Sequence, residues 1–281
     1  MRKRCKLQEK NERLQMEGLP LISIITVNFN DAAGLEKTAQ SVFQQTYPHV
    51  EYIIIDGGST DGSKKVIEQI EHKLSYSASE QDTGIYNAMN KGIQKAVGDY
   101  LLFMNAGDVF TSGDVLNQMV LHSKNQDLIY GDIQWIENGE EYPGVFPETL
   151  TFGYLMFHSL PHQGTLIRRT LFEEAGYYDE ERRIISDWVF FLLAVCKHNC
   201  SYGKVPVLVA RCDRHGISCK PENLAQIVKE KEEVLQLYFP AFYNEYLQLK
   251  AAEKKLAQVS ATLGFRLHNA FNRLTGRHHI E

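Results

Sequence analysis

The stretch Asp99-Tyr100-Leu101-Leu102-Phe103-Met104-Asn105-Ala106-Gly107-Asp108 joins a run of apolar and aromatic residues to a polar turn. Five consecutive side chains, Tyr100 to Met104, predict a strand that is buried on both faces. The run stops at Asn-Ala-Gly-Asp, and Asn, Gly and Asp all favour turns. Open α/β sheets bind ligands at the carboxyl ends of their strands, so this stretch predicts a fold class and a place for chemistry.

The residues before this stretch alternate between strand and helix patterns. Leu21 to Val27 and Val50 to Ile55 are apolar, β-branched runs that predict two strands, and an amphipathic helix follows each. Asn30 or Asp31 can cap the first of these helices. Tyr76 to Glu80 predicts a short third strand, and a helix capped by Asp82 or Thr83 is expected to continue to Ala96. This alternation indicates an α/β protein whose parallel strands are joined by right-handed crossovers.

The residues after the stretch continue with less regular elements. We expect helices over 112–123, 171–175 and 188–196, strands over 128–135, 165–167 and 205–210, and a loop-rich segment over 136–160. From Pro221 the pattern becomes helical and charged, with one break at Pro240. The expected organisation is a polar arm (1–18), a catalytic domain (19–220) and a C-terminal helical extension (221–281).

Composition narrows the class of protein. The 281 residues are 43% hydrophobic with a net charge of −5, which suits a folded core and argues against nucleic-acid binding. The longest apolar run, Trp188 to Cys196, is far shorter than the roughly 20 residues that span a bilayer. The five cysteines lack paired C-x-x-C spacing, which fits a reducing compartment. We therefore expect a cytoplasmic protein.

The glycine-rich segment Asp56-Gly57-Gly58-Ser59-Thr60-Asp61-Gly62-Ser63 is not a known phosphate loop. A P-loop places Lys before Ser or Thr, whereas here Ser63 precedes Lys64, and no G-x-G-x-x-G occurs in this segment. The sequence therefore supports neither a P-loop nucleoside triphosphatase nor a dinucleotide-binding protein.

Four motifs together resemble family 2 glycosyltransferases of the GT-A fold. They are Ser23-Ile24-Ile25-Thr26-Val27-Asn28-Phe29-Asn30, Ile55 to Gly62, Asp82 to Gly92, and Phe103 to Asp108. The resemblance covers residues 20–218, and the Gly-Gly-Ser-Thr-Asp and Asn-Ala-Gly-Asp variants are similar to a bacterial subgroup that builds capsular, exopolysaccharide or colanic-acid-type chains. It implies a Rossmann-like, mixed but mainly parallel sheet flanked by helices.

The resemblance also implies a nucleotide-sugar site in the first half of the sheet. The residues assigned to it are Thr26, Val27, Asn28, Asp56, Asp82, Gly84, Asn90 and Asn105. Asp56 at a strand end can also be a simple turn residue. Many family members carry a second Asp where this chain has Gly57, so no preference for uridine follows.

A metal site is implied at the Asn-Ala-Gly-Asp turn. The family element usually reads Asp-x-Asp-Asp, and here only Asp108 keeps its carboxylate. A nucleoside diphosphate leaving group needs positive charge, and one Asp suffices for Mg²⁺ or Mn²⁺ when diphosphate and water supply other ligands. His215 is the second expected ligand, or else a loop histidine in solvent. Cys212 and Cys219 flank it, but their spacing does not match a zinc site.

The expected catalytic base is Asp187. Inverting transfer needs a carboxylate that takes the proton of the acceptor hydroxyl, and Ser186-Asp187-Trp188 matches the family position for it. The alternative is that Ser186 caps a helix and Asp187 only complements the helix dipole. His162 and Trp188 are assigned to the acceptor side.

The resulting hypothesis is an inverting, non-processive glycosyltransferase. It would move one sugar from a nucleotide-sugar to a growing glycan, such as a lipid-linked one, because the Gln-x-x-Arg-Trp motif of processive members is missing. The alternative is a catalytically silent sugar-nucleotide-binding or scaffold protein of the same pathway.

The C-terminal segment predicts an amphipathic helix. Leu263, Leu267, Phe271 and Leu274 share one face, and arginines supply positive charge nearby. Such a helix can lie at the inner face of the plasma membrane, or its apolar face can pack on protein. The sequence does not indicate an oligomeric state.

Overall fold

The computed structural model describes residues 18–214 and 216–275. Its strands are β1 Ile22–Asn28, β2 Val50–Asp56, β3 Tyr76–Ser79, β4 Tyr100–Phe103, β5 Val109–Phe110, β6 Leu128–Glu137, β7 Glu140–Gly144, β8 Thr165–Arg168 and β9 Tyr202–Asp213. Its α-helices are α1 Ala32–Phe43, α2 Ser63–Ile70, α3 Ile85–Lys95, α4 Val115–His122, α5 Phe152–Phe157, α6 Leu171–Ala175, α7 Ser186–Cys196, α8 Leu224–Tyr238 and α9 Tyr243–Thr275.

These strands form one mixed sheet in the order β3-β2-β1-β4-β8-β6-β9-β5, with β7 added on β6. The first four, from β3 to β4, are parallel. Direction reverses at β8, which is antiparallel to both β4 and β6. The predicted central strand β4 therefore lies where the parallel half of the sheet meets the mixed half.

Strand β1 is buried along its whole length, so both faces of the sheet need a cover. On one face, Ile22 and Ile24 join a core cluster with Leu35 of α1 and Ile67 of α2. On the other face, α3 packs so closely on β1 that a Cβ at Gly92 would stand 2.5 Å from Ile25 Cγ2. The helices thus cover the sheet on both sides, as the apolar runs indicate.

The second half of the chain holds elements that the sequence analysis missed. Strands β5 and β7 and helix α5 lie in segments expected to be loop or helix, and α4 begins at Val115. Strand β6 continues through Gly131, and its pairing with β9 shifts register there in a bulge. Gly131 allows this because a Cβ would meet the carbonyl oxygen of Val207 at 2.3 Å.

The helix starts confirm one predicted cap and correct two others. Asp31 accepts a hydrogen bond from Gly34 N–H and caps α1, as predicted. Helix α3 begins after Gly84, with no capping side chain from Asp82 or Thr83. Helix α7 begins after Ile185, so Ser186 is its first residue; its hydroxyl accepts a hydrogen bond from Asp179 N–H.

The chain divides into two compact units after Ile227. The second unit holds most of α8 together with α9, and Lys250 forms an ion pair with Glu232 at 2.8 Å within it. The domain boundary near residue 220 stays a prediction. No helix within the described ranges is both long and apolar enough to cross a bilayer.

Candidate active site

Polar residues of three parallel strands meet at the carboxyl edge of the sheet. Asn28 of β1 lies beside Asp56 of β2, which lies beside Ser79 of β3. The turn after β4 joins them, because Ala106 N–H donates to the carbonyl of Val27 at 3.1 Å. The sequence-predicted donor residues therefore share one edge.

Asp56 is fully buried and holds this edge together. Its carboxylate accepts hydrogen bonds from Ser59 N–H, Ser59 Oγ, Ser79 Oγ and Asn28 Nδ2 at 2.5 to 3.0 Å. Burial alone would raise the pKa of Asp56, but these hydrogen bonds outweigh it and hold the pKa below its usual range. The carboxylate is thus ionised and organises the glycine-rich loop.

The neighbouring strand residues differ in what they offer a ligand. Thr26 Oγ1 is buried and forms a hydrogen bond with Tyr52 Oη at 3.0 Å, so this side chain is part of the core. Asn28 Oδ1 is buried and finds no hydrogen-bond partner among the described residues. Asn28 is therefore the residue of this pair with unused acceptor capacity.

Gly57 makes room for the carboxylate of Asp82. A Cβ at Gly57 would lie 2.5 Å from Asp82 Oδ2 and 3.2 Å from the exposed ring of Phe29. Asp82 Oδ1 accepts from Gly84 N–H at 3.0 Å, and burial raises the pKa of Asp82. A carboxylate thus stands beside the position where many family members carry a second Asp.

The Asn105-to-Asp108 turn is held from beneath by Thr38. Its hydroxyl donates to the Asp108 carbonyl at 2.7 Å and accepts from Gly107 N–H at 3.0 Å. Gly107 has a φ of +96°, which favours glycine. This geometry fixes the side chains of Asn105 and Asp108 on one short turn.

Asp108 is a buried carboxylate whose pKa lies near neutrality. Gln163 Nε2 donates to one of its oxygens at 3.0 Å, and Asp213 N–H donates to the other at 3.3 Å. Burial raises the pKa of Asp108 to about 6, although these hydrogen bonds and the nearby His162 act in the opposite direction. Its charge is therefore sensitive to what binds beside it.

The turn after β4 offers few protein ligands to a divalent cation. No group of three or more His, Cys, Asp and Glu side chains suited to a metal occurs in the described ranges. The turn itself offers two oxygen donors, since Asn105 Oδ1 is buried and lacks a described hydrogen-bond partner and Asp108 lies three residues on. His215, the other expected ligand, lies outside the described residues.

Asp187 lies at the start of α7 and is held through both oxygens. Tyr86 Oη approaches Oδ1 at 2.8 Å, and His162 Nδ1 approaches Oδ2 at 3.3 Å. The other ring nitrogen of His162 lies 3.0 Å from Asn105 Nδ2. Because an amide nitrogen can only donate, His162 carries its proton on Nδ1 and presents it to Asp187.

Asp187 is therefore ionised at neutral pH. Burial would raise its pKa, but the hydrogen bonds of His162 and Tyr86 lower the pKa below its usual range. The Asp187 side chain keeps 21% of its surface exposed, which leaves it accessible to a substrate. A chain of contacts now links the turn after β4 to the expected base.

Two other predicted site residues already have hydrogen-bond partners within the protein. Asn90 is buried and binds the Tyr178 carbonyl and Glu180 Oε1 through its amide nitrogen. Trp188 is buried and donates to the carbonyl of Leu155 at 2.6 Å. Both side chains position the walls of the site.

Sequence reasoning missed Tyr86, Ser79, Thr38 and Gln163. Tyr86 lies inside the Asp82-to-Gly92 motif and Gln163 follows His162, so the sequence places both near predicted site residues. It does not indicate that they contact Asp187 and Asp108. Ser79 and Thr38 reach the site only because their elements are neighbours in the folded sheet.

Comparisons with known proteins place the chain in a family. The model of "Glycosyl transferase family 2" matches residues 23–185. An uncharacterised glycosyltransferase of Mycobacterium tuberculosis is 35% identical over 189 residues, which cover 65% of this chain and 72% of the relative. A PGL/p-HBAD biosynthesis glycosyltransferase of Mycobacterium bovis is 32% identical over 61% of this chain and 68% of its own.

Solved structures share the fold. TarS of S. aureus superposes with a TM-score of 0.61 at 18% identity, over 77% of this chain and 40% of that chain. A mannosyltransferase of Pyrobaculum calidifontis, in complex with GDP-Man and Mn²⁺, has a TM-score of 0.54 at 15% identity over 92% of this chain and 83% of its own. The predicted mixed, helix-flanked GT-A sheet is confirmed. The chain therefore belongs to glycosyl transferase family 2 and is a glycosyltransferase of the GT-A fold.

Proposed function

We propose that this glycosyltransferase inverts the anomeric centre and adds one sugar to a cell-surface glycan, such as a lipid-linked chain. The observation that carries the proposal is the ionised Asp187, held by Tyr86 and His162 and connected through His162 to the turn of Asn105. A fixed, partly exposed carboxylate beside the expected donor turn is what a single displacement requires.

In this mechanism Asp187 acts as the general base. It takes the proton of the acceptor hydroxyl while that oxygen forms a bond to the anomeric carbon. The bond from this carbon to the diphosphate oxygen breaks, and the diphosphate leaves with its electron pair. One displacement with the base opposite the leaving group inverts the configuration.

The donor side would use the edge of β1, β2 and β4. Asp82 presents a carboxylate oxygen beside Gly57, Asp56 holds Ser59 of the glycine-rich loop, and Asn28 Oδ1 is buried without a hydrogen-bond partner among the described residues. Neighbouring structures of TarS contain UDP and UDP-GlcNAc, and the mannosyltransferase contains GDP-Man. UDP- and GDP-sugars are therefore the donors to test.

Asp108 and Asn105 would hold a Mg²⁺ or Mn²⁺ ion if the reaction uses one, with His215 as a further candidate. The cation would neutralise charge on the leaving diphosphate. Asp108 would ionise on cation binding, because a nearby positive charge lowers the pKa of a carboxyl group.

The relatives support a role in surface glycans. The Mycobacterium bovis relative is named for PGL/p-HBAD biosynthesis, and a Bacillus subtilis relative, 33% identical over 103 residues, is named a putative teichuronic acid biosynthesis glycosyltransferase.

The decisive variant is Asp187→Asn. Purified protein is incubated with UDP-GlcNAc, UDP-glucose, UDP-galactose or GDP-mannose and Mg²⁺ or Mn²⁺, and release of the nucleotide is measured with water as the acceptor, so that Asp187 takes its proton from the water that attacks the sugar. We expect Asp187→Asn to slow release by roughly 10² to 10⁴-fold, as is usual for loss of a general base. Thermal shifts caused by UDP or GDP should stay as in the wild type, because the base acts on the acceptor.

Glu173→Gln is the matched control, because Glu173 is an exposed carboxylate on α6 paired with Arg169. Its release rate should equal that of the wild type. Near-normal release by Asp187→Asn would contradict the proposal. Thermal shifts without any release from wild-type protein would favour the silent binding protein instead.

A further inference from the structure

The hydroxyl of Tyr86 has two acceptors and one proton. It lies 2.8 Å from Asp187 Oδ1 and 2.9 Å from the carbonyl oxygen of Ile184. Both acceptors belong to the start of α7, whereas Tyr86 is in the first turn of α3. A tyrosine hydroxyl donates only one hydrogen bond at a time, so it has to choose between them.

The choice depends on the charge of Asp187. An ionised carboxylate is the stronger acceptor, and hydrogen bonds to charged groups exceed those to neutral ones. When Asp187 is protonated, its neutral oxygen loses this advantage and the Ile184 carbonyl becomes an equal partner. The Tyr86 hydroxyl therefore keeps a hydrogen bond in both states of the base.

Among the side chains around Asp187, Tyr86 is the one that binds Oδ1. The titratable side chains that hydrogen-bond to Asp187 are His162 and Tyr86, and the Trp188 N–H also binds the carboxylate. His162 faces Oδ2 at the longer distance of 3.3 Å. Tyr86 is 6% exposed and its ring packs on Tyr178 at 5.4 Å, so the hydroxyl cannot leave.

We propose that Tyr86 is the positioning residue of the catalytic base, which rests on the function proposed above. Its hydroxyl holds Oδ1 of the ionised Asp187, and Oδ2, which also accepts the Nδ1–H of His162, receives the acceptor proton. As the acceptor O–H bond breaks and the proton binds Oδ2, the Tyr86 hydrogen turns to the Ile184 carbonyl. No net proton passes through Tyr86.

The first test measures the carboxyl group directly. Protein labelled with ¹³C at the aspartate carboxyl carbon is titrated by NMR between pH 4 and 7, and the Asp187 signal is identified by its loss in Asp187→Asn. The midpoint of the wild-type signal should lie below the usual range of an aspartate. In Tyr86→Phe the midpoint should rise by about one pH unit or more, so the signal moves at the acid end.

Tyr178→Phe is the matched control. It removes a buried tyrosine hydroxyl from the same aromatic pair, and this hydroxyl has no hydrogen-bond partner among the described residues. Its titration should follow the wild type. If Tyr86→Phe also follows the wild type, Tyr86 does not hold the carboxylate and the inference is wrong.

The second test is a double-mutant cycle on nucleotide release, with the panel nucleotide-sugar that the wild type cleaves fastest. Tyr86→Phe should lower kcat roughly tenfold with an unchanged donor KM, since it acts on the base. Added to Asp187→Asn, it should cause no further loss. A full further loss would show a structural role and overturn the inference. Wild-type release by Asp187→Asn would instead refute the proposed function, while the titration still decides the role of Tyr86.

Discussion

Asp108 shows how one buried carboxyl group couples charge to stability. It is 5% exposed, and its pKa is raised to about 6 because burial penalises the charged form. The hydrogen bonds from Gln163 and Asp213 only partly offset this penalty. The protein therefore keeps a costly carboxylate at the turn after β4, which is understandable if a cation or ligand partly neutralises it.

A pH dependence of stability follows. Between about pH 4 and 6 the folded protein keeps the Asp108 proton while the unfolded chain releases it. The contribution of protonated Asp108 to the free energy of unfolding is therefore fully present below pH 4 and is lost as the pH rises through 6. The free energy of unfolding of Asp108→Asn, relative to wild type, should rise by up to about 3 kcal/mol between pH 4 and 7.

Urea unfolding at several pH values, without nucleotide or divalent cation, measures this difference. The test uses only the change of this difference with pH. A destabilisation by the amide of the variant that is the same at every pH therefore does not affect the result. Glu173→Gln, which alters an exposed carboxylate, is the control. A difference between Asp108→Asn and wild type that stays constant from pH 4 to 7 would refute the raised pKa.

At the scale of elements, α3 determines whether the site can form. It carries Tyr86 and Asn90, which reach α7 and the loop at Tyr178, and it packs on β1 at Gly92. Beneath the site, Phe172 and Phe190 stack at 4.4 Å, and Phe103 lies edge-on to His162 at 6.4 Å. The distance between α3 and the sheet thus decides where the Tyr86 hydroxyl stands.

Gly92→Ala should therefore destabilise the protein. Its Cβ would stand 2.5 Å from Ile25 Cγ2, and overpacking of a core typically costs about 1–3 kcal/mol. The better helix propensity of Ala returns at most about 1 kcal/mol. We expect a lower melting temperature, by about 2–4 °C for each net kcal/mol.

Gly153→Ala in α5 is the matched control for this change. Its nearest atom would be Thr151 Oγ1 at 3.8 Å, an ordinary contact. Its melting temperature should stay level or rise. Equal responses of the two variants would mean that the close approach of α3 to β1 does not limit stability.

At the scale of the whole molecule, the second unit carries an apolar helix face that is exposed. In α9, Leu256, Val259, Leu263 and Leu267 recur at helical spacing and are 52 to 70% exposed. The predicted partners Phe271 and Leu274 have side chains outside the described residues. A face of this kind, with Arg266 beside it, suits the surface of an anionic membrane.

We propose that α9 binds anionic lipid, and sedimentation with vesicles at low salt tests it. Full-length protein should bind phosphatidylglycerol vesicles and ignore phosphatidylcholine vesicles. Truncation after Thr262, or Leu263→Gln with Leu267→Gln, should abolish binding, because the apolar face then buries less surface. Leu224→Gln is the control, since Leu224 is 62% exposed on α8.

The alternative role of this face gives different results. Packing on protein predicts a lower melting temperature or a dissociated oligomer for the truncated chain, with no change in vesicle binding. Full-length protein that ignores anionic vesicles at low salt would end the membrane proposal.

The sequence by itself determined the parallel half of the sheet and the neighbourhood of the site. Strands buried on both faces have to be continuous apolar runs, and turns at their carboxyl ends have to be polar, so both features are local and visible in the chain. Family 2 membership followed from four such local motifs, because their order along the chain is specific.

Only the tertiary structure decided how the site works. Tyr86 and Asp187 are 101 residues apart, and Asn105 and His162 are 57 apart, so no periodicity relates them. Strands β5 and β7 were missed because a short or exposed strand buries too little apolar surface to leave a pattern. Local patterns report burial, whereas hydrogen bonds between side chains of distant elements depend on how those elements pack.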